Sequence, residues 1–134
     1  MVIEYANESD LDIISEYDKH ISKEELLKSI LDNRVIVVKD NDKTCAWSRY
    51  NLFWDNTPFL NMLFVLEEYR NSGIGTKLIE FWENDMRNKN FKMIMTSSLS
   101  NENAQQFYRK LGYKDSGNLL LENEPLEIIF TKKL

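Results

Sequence analysis

The chain has 134 residues, of which 43% are hydrophobic and 29% charged, with a net charge of −5 at pH 7. That length suits one domain around a single core, and the composition is that of a soluble globular chain. An acidic balance argues against a nucleic-acid binder, which carries a basic face, and no stretch approaches the ~20 apolar residues of a membrane span.

In chain order, a short strand is expected over 2–5, and Ser9 or Asp10 caps a helix through Leu11, Ile14 and Tyr17. Ser22 and Glu25 form a capping box for a second helix through Leu26, Leu27 and Ile30. Strands over 35–39 and 44–53 flank the turn Asp40-Asn41-Asp42, and residues 54–58 read as a loop. The run 60–66 is almost continuously apolar, as expected of a strand covered on both faces. A helix from Ile74 to about Asn88 turns Ile74, Leu78, Phe81, Trp82 and Met86 inward. A strand over 91–96, a helix over 101–111 and strands over 113–121 and 126–132 close the chain. The order βααβββαβαββ makes an α+β chain with a mixed sheet of about seven strands and about four helices, in one domain over 1–134. The first residues lack the basic start and apolar core of a signal peptide. Cys45 is the sole cysteine, so no intrachain disulfide forms, and a cytoplasmic location is expected. Cys45 lies in a strand with no evident base and reads as a small packed side chain.

The segment Arg70-Asn71-Ser72-Gly73-Ile74-Gly75-Thr76 joins an apolar strand to an amphipathic helix. The first amides of a helix have no internal partner and sit at the positive end of its dipole. Gly73 and Gly75 free the backbone to bend and let a ligand approach, so the segment is suited to phosphate. It is not a Walker loop, because Gly75-Thr76-Lys77 has the wrong spacing and order. Nor is it a dinucleotide fingerprint, because Leu78 stands where the third glycine belongs. Further on, Ala104, Phe107, Tyr108 and Leu111 share one helix face, Arg109 and Lys110 fall in the last turn, and Gly112 occupies the position after the helix. Ser100 is the expected N-cap of that helix.

Taken together, the two segments resemble the GNAT superfamily of acetyl-CoA-dependent N-acetyltransferases. Its signature [RQ]-x-x-G-x-[GA] is matched by Arg70, Gly73 and Gly75, and N-x-x-A-x-x-x-[YF]-x-x-x-G-[FY] by Ala104, Tyr108, Gly112 and Tyr113. Asn101 and Asn103 are both available for the asparagine, and Asn103 is assigned to the cofactor site. The resemblance implies a twisted sheet whose two central parallel strands, here 60–66 and 91–97, splay apart. It implies that backbone groups of Leu63, Phe64 and Val65 meet the pantetheine arm of acetyl-CoA, and that Arg70, Asn71, Ser72, Gly73, Ile74, Gly75 and Thr76 hold its pyrophosphate. Tyr108 falls at the family position of the general acid that protonates the departing thiolate, and also touches the cofactor; no metal is assigned. The local positive charge that CoA requires is expected from Arg70, Lys77, Arg109 and Lys110.

The acceptor is then a primary amine of a small molecule or peptide. A homodimer through the last strands is compatible with the sequence. The usual acidic position on the central strand is Phe59, which cannot take a proton, and Asn61 on the same face is no better. Glu67 and Glu68 fall at the strand-to-loop junction, and Asp55 is the best remaining carboxylate. Trp47, Tyr50, Phe53 and Trp54 form either an aromatic wall for the acceptor or ordinary sheet packing. His20 stands alone late in the first helix, with no catalytic assignment. Without a strong base, the sequence favours an amine of low pKa. It also leaves room for a CoA-binding regulatory module with little catalysis, for transfer of a larger acyl group, and for a domain that only binds proteins.

Overall fold

The computed structural model describes all residues from Met1 to Leu134. Its elements are β1 (Val2–Tyr5), α1 (Leu11–Tyr17), α2 (Lys23–Leu31), β2 (Val35–Asp40), β3 (Lys43–Phe53), β4 (Thr57–Val65), α3 (Ile74–Asn88), β5 (Met93–Leu99), α4 (Ala104–Lys110), β6 (Lys114–Leu119) and β7 (Glu127–Lys133). This is the order expected from the sequence, with two added 3₁₀ turns, Glu8–Asp10 and Glu67–Tyr69. The seven strands follow β1-β2-β3-β4-β5-β7-β6. Strands β1–β2, β2–β3, β5–β7 and β6–β7 pair antiparallel, whereas β4 and β5 are parallel.

The chain forms two compact units, 1–50 with 62–82 and 51–61 with 83–134. Strand β4 and helix α3 each contribute residues to both. The first unit buries Ile14, Leu26, Val35, Val37, Trp47, Leu78, Ile79 and Trp82 completely. It also buries two ion pairs. Arg49 on β3 donates to Asp18 at the end of α1 through Nε (2.7 Å) and a terminal nitrogen (3.3 Å). Asp10 accepts from Lys39 and from the Thr44 hydroxyl. The second unit packs Tyr108, Tyr113 and Phe130 as a ring cluster, with centroids 5.6 Å apart for Tyr108–Tyr113 and 6.0 Å for Tyr108–Phe130. Beside it the Tyr113 hydroxyl donates to Glu83 (2.7 Å), which also accepts from Lys132.

Local differences from the sequence reading have physical causes. Asp10 stands at the N-cap of α1 as expected but makes no side-chain capping bond to that helix; it bonds reciprocally with Asn7 in a capping box around the 3₁₀ turn before it. At α2 only half of the expected box forms, since Ser22 accepts from Glu25 N–H (3.1 Å). Strand β4 begins at Thr57, so the expected loop 54–58 shrinks to the turn 54–56, with Trp54 (φ 56°) and Asp55 (φ 65°) in the left-handed region. That turn has no glycine, and its signal is hidden. The far half of β4 is only half-buried from Met62 to Val65, not covered on both faces. Helix α4 starts at Ala104, three residues later than expected, and Ser100 is not its cap. Glu102 instead folds back onto the Leu99 N–H (3.2 Å), holding the preceding residues in a turn.

Candidate active site

In the first unit, β4 runs into the 3₁₀ turn Glu67–Tyr69 and then the glycine loop. Asn71 (φ 60°) and Gly73 (φ 82°) are both left-handed, which reverses the chain sharply enough to start α3 at Ile74. A left-handed position strongly favours glycine, and at Gly73 a Cβ would meet nothing within 4 Å. The space over the loop is therefore open. The first helical bond runs from Lys77 N–H to the Gly73 carbonyl (3.1 Å). The amides of Ile74, Gly75 and Thr76 precede it and have no acceptor inside the helix. Ser72 is exposed, its hydroxyl donating to the Tyr69 carbonyl.

Arg70 binds the loop to the strand before it. Its Nε donates to the Val65 carbonyl (2.9 Å), and its guanidinium lies 5.4 Å from the Phe64 ring centroid. The Val65 carbonyl thus has a protein partner. Phe64 stacks on Trp47 at 5.0 Å and lies 5.5 Å from Tyr17. Leu63 is half-buried on the same strand. Tyr50 faces Trp82 instead, while Phe53 and Trp54 lie at the exposed hairpin tip. Within the first unit, Trp47 and Tyr50 therefore pack separately. Cys45 is buried, and burial pushes its thiol up and away from reactivity.

In the second unit, Tyr108 on α4 is 5% exposed. Burial pushes its phenol up to about 12, and a hydrogen bond with Thr96 on β5 pulls only weakly the other way. Gly112 (φ 92°) ends α4, and Tyr113 N–H returns to the Tyr108 carbonyl (3.1 Å), which fixes the backbone that carries the phenol. Asn103 is exposed just before the helix, and its side chain does not cap it. Arg109 is not a free cation, because Asp115 accepts from its Nε (2.9 Å) and a terminal nitrogen (2.8 Å). Lys77 and Lys110 are exposed and enter no ion pair.

The sequence model of the acetyltransferase (GNAT) family matches residues 3–113. The chain belongs to that family. It is an acyltransferase of the N-acetyltransferase type, with the seven-stranded mixed sheet and four helices of the GNAT fold. An uncharacterized N-acetyltransferase of Methanocaldococcus jannaschii is 26% identical over 125 residues, covering 86% of this chain and 79% of that protein. A GNAT-family acetyltransferase of Bacillus cereus superposes with a TM-score of 0.80 at 25% identity, covering 98% of this chain and 96% of the other. The PaiA N-acetyltransferase of Thermoplasma acidophilum, solved in complex with coenzyme A, gives 0.83 at 19% identity with full coverage of both chains.

The carboxylates named from the sequence lie at exposed positions. Asp55 is exposed in the hairpin turn, and Glu68 is exposed and pairs with Lys43 (3.1 Å). Phe59 packs against Phe53 at 6.1 Å. Glu127, at the start of β7, was invisible in the sequence. It is half-buried and accepts from the Ser97 hydroxyl on β5 (3.3 Å), and burial raises its carboxyl above the usual range. Only strand register could have found it, since the two residues are thirty positions apart.

Proposed function

We propose that the 134 residues act as one catalytic domain that moves an acetyl group from acetyl-CoA to a primary amine of a small molecule or peptide. The observation that carries this reading is the loop before α3, with three helix-start amides lacking an intrahelical acceptor and open space over a left-handed Gly73. Those features suit a pyrophosphate, with Arg70, Asn71, Ser72, Gly73, Ile74, Gly75 and Thr76 around it and exposed Lys77 adding positive charge. Leu63, Phe64 and Val65 would line the pantetheine arm, and Asn103 would meet the cofactor near α4. Relatives support an amine acceptor: part of the chain, 56 residues, is 34% identical to N-alpha-acetyltransferase 30 of Schizosaccharomyces pombe.

In this reading the amine attacks the thioester carbonyl, the tetrahedral intermediate collapses, and the thiolate of CoA departs. Tyr108 is the general acid. A phenol near 12 would give its proton to a thiolate of ~8.5 at a cost of ~5 kcal/mol, so it acts mainly by donating a strong hydrogen bond as charge develops on sulfur. Its burial keeps it protonated across the whole working range. The experiment is release of free CoA thiol from acetyl-CoA with sets of amines, comparing the wild type with Tyr108→Phe. Amine-dependent release that falls ~10²-fold in the variant is expected. CoA binding without release with any amine would favour a regulatory CoA-binding module instead.

A further inference from the structure

We infer that Glu127 is the proton acceptor for the incoming amine, held by Ser97. This role depends on the acetyl transfer proposed above and adds the base that the central strand lacks.

The geometry begins with β5. Thr96 and Ser97 are consecutive, so their side chains leave opposite faces of the sheet. Thr96 is on the face of Tyr108, and Ser97 is on the face of Glu127. The parallel ladder from β4 holds Phe59↔Met95 and Leu60↔Thr96, and no rung joins Asn61 to Ser97. An acyl group lying where that ladder ends would have the phenol on one face and the carboxylate on the other. Attack and departure occur at the same carbon, and this arrangement separates the group that removes a proton from the group that donates toward sulfur.

The surroundings of Glu127 suit the role. Its backbone pairs with Leu99 on β5 and Leu119 on β6, both apolar. The charged groups that act on it are Glu102, from the turn before α4, and Glu124, from the hairpin before β7; both are negative. Glu127 enters no ion pair, and its one side-chain bond, from Ser97, leaves lone pairs for a substrate. Burial and the two neighbouring carboxylates raise its affinity for a proton, and the Ser97 hydroxyl opposes them. A carboxyl moved toward neutrality is a better base than an ordinary one. The step balances as follows: one ammonium proton passes to a Glu127 carboxylate oxygen and on to solvent, the freed nitrogen pair forms the N–C bond, the C–S bond breaks with its electrons going to sulfur, and the second proton lost by the acylated nitrogen neutralises the thiolate, leaving a neutral amide and CoA thiol.

The test is the pH dependence of kcat/KM with acetyl-CoA and peptides carrying free N-termini, beside primary alkyl diamines. Wild type, Glu127→Gln and Ser97→Ala are compared, with acetyl-CoA affinity measured by calorimetry. Glu127→Gln is expected to lose ~10²-fold at pH 7 and to replace the acid limb with one at the acceptor's own pKa, with acetyl-CoA affinity unchanged. Ser97→Ala removes the bond that lowers the Glu127 pKa, so its acid limb should move up while the enzyme stays active. Turnover in Glu127→Gln with the wild-type acid limb would overturn the assignment and leave acetyl transfer standing. If Glu127→Gln does not fold, an acid limb unmoved in Ser97→Ala overturns it equally. A wild type that neither binds acetyl-CoA nor releases thiol would overturn acetyl transfer and the role of Glu127 with it.

Discussion

Gly73 offers a way to separate backbone shape from charge at the proposed pyrophosphate loop. At φ 82° with nothing within 4 Å of a built Cβ, Gly73→Ala meets no steric clash. Its cost is the left-handed conformation alone, ~1–2 kcal/mol, or a fall in Tm of ~3–10 °C for a chain of this size. Gly73→Glu carries the same strain and adds a carboxylate at the helix start. A unit charge ~5 Å from a phosphate charge is worth ~1 kcal/mol in water and ~3 kcal/mol at the protein surface. The glutamate variant should therefore bind acetyl-CoA ~5- to 150-fold more weakly than the alanine variant. Titration calorimetry at low and high salt reads this directly, because the gap should narrow as salt screens it. Equal affinity in the two variants, with Tm values alike, would refute the loop as the pyrophosphate site.

Other outcomes follow from buried charges. Asp18→Asn leaves Arg49, only 8% exposed, without its counter-charge. It should cost ~3–5 kcal/mol in urea unfolding, and a loss under ~1 kcal/mol would show that water reaches the pair. Burial raises Asp10, but bonds from Lys39, Thr44 and the Asn7 N–H outweigh it, leaving the carboxyl lowered from its ordinary 3.8. A lowered folded pKa gives stability that is present above 3.8 and lost as pH falls through the folded value. Asp10→Asn should therefore flatten the acid end of the stability curve, as read by unfolding from pH 5 to 2. Glu127 has the opposite sign. Its folded carboxyl holds a proton more tightly than the unfolded one, so stability is full at low pH and falls as pH rises through the raised value. Glu127→Gln should match or exceed the wild-type Tm at pH 7, and a clear drop would mark Glu127 as a structural group.

The sequence by itself determined the order of elements. Apolar spacing along 74–88 and the glycine after Leu111 are local signals, and they set α3 and the end of α4 because helices answer to neighbours three and four residues away. The same locality made the loop at 70–76 readable, and with it the resemblance to the GNAT family. Turns without glycine were less legible: Trp54 and Asp55 take the left-handed region without the residue that usually marks it. Tyr108 was found by its motif, but its shift to about 12 was not, since burial by Phe130 and Tyr113 depends on strands that arrive later in the chain. Glu127 was not legible at all. Between Glu124-Pro125 and an apolar strand it reads as one more surface acid, and only the β5–β7 register brings it to Ser97. Proton affinity is set by what surrounds a group in space, so the raised carboxyl of Glu127 is a property of the tertiary structure.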